Sequence, residues 1–73
     1  MTDDTPLEVA KRRVVDARAR VLVQERRLAD IQREGRNAIH AEHTLDILRQ
    51  ALAIFEADYE AELTRPPDTR DLS

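Results

Sequence analysis

His40 and His43 are the only histidines in the chain, and they stand three residues apart with Glu42 and Asp46 close by. On a helix that spacing puts both rings on one face, an arrangement that suits zinc or a similar ion. A structural zinc site needs four ligands, and no cysteine is present to supply the remainder. The string His40-Ala41-Glu42-His43 also lacks the spacing of the HExxH metalloprotease motif. The plainer reading is two solvated histidines near a helix start, so no metal or cofactor is expected. Nor is there a nucleophile–base constellation: cysteine is missing, serine and threonine cluster toward the ends, and the single glycine cannot make a phosphate-binding loop. The chain reads as non-enzymatic.

A second candidate is the basic run Lys11-Arg12-Arg13 with Arg18, Arg20, Arg26 and Arg27. Such a stripe could neutralise nucleic-acid phosphates, which makes a small nucleic-acid-binding protein the alternative reading. Against it, the arginines wrap around the helix, no aromatic is interleaved, and the net charge is −3. A solvated face, paired in part to acidic side chains of the second helix, is the plainer reading of the run. Residues 11–36 carry nine basic side chains against four acidic, and residues 37–63 carry one against six, so the halves are electrostatic opposites.

The elements that must carry these residues pivot on Gly35-Arg36-Asn37. Gly35 is the only glycine, near the chain's midpoint, and long stretches free of Gly and Pro flank it. Glycine after one helix and asparagine before the next is a stop-and-restart signal. Thr5-Pro6-Leu7-Glu8 is a capping box with proline at the first helical position. The first helix is therefore expected over about 6–34, the turn over 35–37 and the second helix over about 38–64. Pro66-Pro67 stops the second helix and biases Arg65 to extended backbone. Residues 1–5 read as a disordered N-terminus and 65–73 as a polar tail.

Apolar residues in the first helix repeat every seven positions: Leu7, Val14, Val21, Leu28 in one row and Ala10, Ala17, Gln24, Ile31 in the other. The second helix repeats Ala38, Leu45, Leu52, Tyr59 and Ala41, Leu48, Phe55. A short connection makes the helices antiparallel neighbours. The expected core of the hairpin is Val14, Ala17, Val21, Leu28 and Ile31 against Leu45, Leu48, Leu52, Phe55 and Tyr59. Gln24 interrupts the seam. A buried polar residue there would fix register; a small rotation of the helix would leave it half-exposed instead.

Outside the seam lie further apolar rows, Val15, Leu22 and Ala29 on the first helix and Ile47 and Ile54 on the second. These five are the expected interface with a second copy or a helical protein partner, because a chain of 73 residues without cysteine has few other ways to gain stability. The fold expected is an all-α antiparallel two-helix hairpin, coiled-coil-like, dimerising into a four-helix bundle. The expected function is protein–protein interaction or oligomerisation, in a regulatory or adaptor role. No apolar run approaches the roughly 18 residues a membrane helix requires, and Met1-Thr2-Asp3-Asp4 lacks the apolar core of a secretory signal. A cytoplasmic location follows as the expectation.

The stretch Gln24–Leu63 resembles a recurring kind of small alphaproteobacterial protein. In these, a Glu- or Gln-rich helix with spaced Ile and Leu meets Gly-x-Asp/Asn. An Ala/Leu-rich helix follows, with a Leu-Leu pair and then a bulky residue. Here those features are Gly35-Arg36-Asn37, Ile47-Leu48 and Phe55, with Arg36 where histidine is usual. The resemblance implies a helical hairpin and brings no activity with it.

Overall fold

The computed structural model describes residues 5–66. The expected N-terminal and C-terminal tails lie outside that span except for Thr5, Arg65 and Pro66. Two helices make up the described chain: α1, Pro6–Arg33, and α2, Ile39–Thr64. They pack antiparallel, as two cross-helix ion pairs establish. Arg18 meets Glu56 at 3.1 Å and Glu25 meets Arg49 at 3.0 Å, so the later α1 residue takes the earlier α2 partner.

Each helix boundary has a local cause. Thr5 holds extended backbone, and its Oγ1 accepts the Glu8 N–H at 3.1 Å, satisfying one of the donors that a helix start leaves open. Pro6 follows at the position where a missing N–H does no harm. At the other end, Gly35 adopts φ +69°, a left-handed conformation. Its N–H donates to the Gln32 carbonyl and the Arg36 N–H to the Ile31 carbonyl, each at 3.1 Å. These two bonds are a Schellman closure, which caps the last carbonyls of α1.

α1 ends at Arg33, one residue before the expected boundary, with Glu34 as its cap. α2 likewise starts one residue late. Asn37 was the expected cap residue, but Ala38 occupies that position, with φ −102° and ψ 7°. Asn37 still helps: its Oδ1 accepts the Ile39 N–H at 3.0 Å. An asparagine readily bonds two residues ahead, and this turn delays the helix by one position. The first helical bond of α2 then runs from the Glu42 N–H to the Ala38 carbonyl at 2.8 Å. At its far end Arg65 is extended, φ −63° and ψ 129°, as the residue before Pro66 must be.

The core is a thin seam. α1 buries Ala10, Val14, Ala17, Val21 and Gln24, and α2 buries Ala41 and Leu45. Among the described residues no large side chain is fully buried. Leu28, Ile31, Leu48, Leu52, Phe55 and Tyr59 are half-buried, and Leu7 at the start of the seam is exposed. The asymmetry has a simple origin. Small residues such as Ala17 sink between two cylinders, whereas Phe55, which lines the same groove, is too bulky for one neighbour to cover.

Candidate interaction surface

The Gln24 side chain is buried, with only 7% of its surface exposed. Its Nε2 donates to the Ala41 carbonyl at 3.2 Å across the seam. A primary amide inside an apolar row thus finds a partner, and among the described residues no buried side-chain polar atom is left unsatisfied. Of the two readings the sequence left open for Gln24, the buried one is found.

The apolar residues outside the seam are wet. Val15, Leu22, Ile47 and Ile54 are exposed by half or more, Leu22 most at 66%, and Ala29 is exposed as well. Helical geometry separates these five into two groups. At about 100° per residue, the residue following a seam position turns to one flank and the residue preceding it turns to the other. Arg18 and Glu25 follow Ala17 and Gln24; Arg49 and Glu56 follow Leu48 and Phe55. Their ion pairs therefore mark one broad face of the hairpin. Val15, Leu22 and Ala29 follow Val14, Val21 and Leu28, so they flank this ion-paired face. Ile47 and Ile54 precede Leu48 and Phe55, so they flank the opposite one. The fold does not bring the five expected interface residues into a single patch.

Grooves run along the face opposite the ion pairs. One is lined by Arg13, Ala17, Arg20, Leu48, Ala51 and Phe55, among others. A second, lined by Ala19, Arg20, Val23, Gln24 and Leu48, continues it through the shared Arg20 and Leu48. A third extends it through Arg13 toward the open end of the hairpin, where Ala10 faces Asp58, Ala61 and Glu62. Together they form a furrow above the seam. Val23 and Ala51 belong to it, and sequence reading missed both. Val23 shares its row with Val9, but Asp16 between them and Asp30 beyond break the seven-residue repeat. Ala51 is flanked at the same spacing by Thr44 and Asp58. Neither row repeats as apolar, so neither gives a periodic signal.

The charged residues are largely engaged locally. Besides the cross-helix pairs, Arg33 meets Asp30 at 2.6 Å, Arg36 meets Glu34 at 2.7 Å and Arg65 meets Glu62 at 3.4 Å. His40 and His43 are both exposed, and among the described residues no group of three His, Cys, Asp or Glu side chains is placed to hold a metal ion. No described helix is long and apolar enough to cross a membrane. Set against models of known families, curated proteins and solved structures, the chain matches none.

Proposed function

We propose that the chain is a non-enzymatic, cytoplasmic module whose function is helical protein–protein association, with self-association as its main form. One observation carries this reading: the core buries little more than alanine and valine, while Val15, Leu22, Val23, Ile47 and Ile54 face water. Burying an aliphatic side chain is worth about 1.5–3 kcal/mol, so covering even part of this set rivals what the seam itself supplies. A hairpin of this size gains more from a neighbour than from further contacts of its own. A four-helix bundle built from two hairpins covers one of the two broad faces and the apolar residues that flank it.

The basic residues favour this reading over nucleic-acid binding. Arg18 and Arg33 already have carboxylate partners in the same chain, and the arginines are spread over both faces of the hairpin. Light scattering or sedimentation at micromolar concentration tests the proposal. A helical dimer or small oligomer is expected; a folded, helical monomer would overturn it.

A further inference from the structure

We propose that a second copy of this chain docks on the furrowed face, not on the ion-paired face, with α1 of each copy lying along α2 of the other. This rests on the self-association reading and adds to it which face is used and in what orientation.

The two faces differ in what they can offer. Down the middle of the ion-paired face run Arg18–Glu56 and Glu25–Arg49, polar groups that already satisfy each other. A partner there would have to desolvate them for no new bond. The furrowed face carries Val23, Leu48, Ala51, Ile54 and Phe55, an apolar set with one small residue at its centre. Ala51 lets a facing helix approach closely, and the half-buried Leu48 and Phe55 would be covered by it.

Charge chooses the occupant and its orientation. α1 carries eight basic side chains and four acidic, while α2 carries one and six, counting histidine as neutral. On the furrowed face Arg13, Asp16 and Arg20 lie on the α1 side, a net positive set, and Asp58 and Glu62 lie on the α2 side. A second copy turned about a twofold axis parallel to the helices lays its acidic α2 on the basic α1, and the reverse. The surface is then its own complement, as an isologous dimer requires. The other face-to-face arrangement stacks α1 on α1 and sets arginine against arginine. The size is also sufficient. A face about 39 Å long and about 20 Å wide offers about 800 Å² per partner, the scale of a specific interface.

Two sets of variants test this by sedimentation and by oxidative crosslinking. The pair I47E/I54E alters the furrowed face and V15E/L22E the other; all four positions are exposed, so neither pair substitutes a seam residue. I47E/I54E is expected to raise the dimer dissociation constant at least 100-fold, and V15E/L22E to leave it within about threefold. The reverse pattern overturns the choice of face while leaving self-association intact. A parent chain that is monomeric overturns both. Because a separated hairpin could lose helix content, the double variant V23C/I47C gives an independent reading. These positions flank the furrow on α1 and α2, so in the proposed orientation each meets the other across the dimer. Oxidation should yield covalent dimer from V23C/I47C and none from either single variant. Covalent dimer from V23C alone, or none from the double variant, would overturn the orientation.

Discussion

Gly35 holds φ +69°, and a Cβ added there would meet nothing within 4 Å. Substitution at this position is therefore purely a backbone matter. Gly35→Ala should destabilise the hairpin by about 1–2 kcal/mol, the penalty of a left-handed L-residue, whereas Gly35→Asn should lose less because asparagine tolerates that region. Urea unfolding followed by circular dichroism gives both values, and equal losses would contradict the argument. Gln24 makes a different case. Its amide is satisfied by the Ala41 carbonyl, but that bond replaces a bond to water and nets little. Gln24→Leu should therefore raise stability by about 1 kcal/mol in the same assay. It should also lower specificity, seen as extra amide resonances from alternative registers, since a lone polar group in an apolar seam penalises slipped pairings. Among the described residues Leu45 is the only large aliphatic side chain buried nearly as deeply as Val14. Leu45→Ala should cost about 2–3 kcal/mol, the low end of the range because neighbours in so thin a core can close over the gap.

The helices repeat a lesson about what local chemistry dictates. Thr5 and Gly35 state their roles through bonds within one turn: the structure has the Thr5 cap on the Glu8 N–H, one of the two bonds of the expected capping box, and the closure at Gly35. The seam was legible for the same reason, since a seven-residue repeat needs no knowledge of the partner. Asn37 was only nearly legible: whether its side chain caps the helix or makes a turn one residue earlier depends on backbone angles that composition does not fix. Relating Val15 and Leu22 to Ile47 and Ile54 was harder still. Each row is visible on its own helical wheel, but which broad face it joins follows only when the two wheels are set antiparallel and their ion pairs located. Those ion pairs contribute orientation more than stability. Arg18 and Glu56 keep 60% and 42% of their side-chain surface in water. A double-mutant cycle on R18A and E56A should give a coupling of about 0.2–1 kcal/mol at low salt, falling further in 1 M salt, where screening is nearly complete. A coupling well above that range would mean the pair sits drier than its exposure indicates.

At the scale of the whole molecule, the thinness of the seam decides how stability should respond to concentration. A hairpin whose buried set is Ala10, Val14, Ala17, Val21, Gln24, Ala41 and Leu45 has little reserve of its own. If folding and association are one event, as the proposed function implies, the melting temperature must depend on protein concentration. Diluting 100-fold lowers the free energy of a dimer by about 2.7 kcal/mol. With about 120 ordered residues in two hairpins, the unfolding entropy at about 2.1 cal/mol/K per residue is about 0.25 kcal/mol/K, so the midpoint should fall by about 10 °C. The variant I47E/I54E should melt lower than the parent at every concentration. A parent chain whose midpoint stays fixed over the same dilution would have to draw its stability from the seam alone, which its alanines and valines are too small to provide.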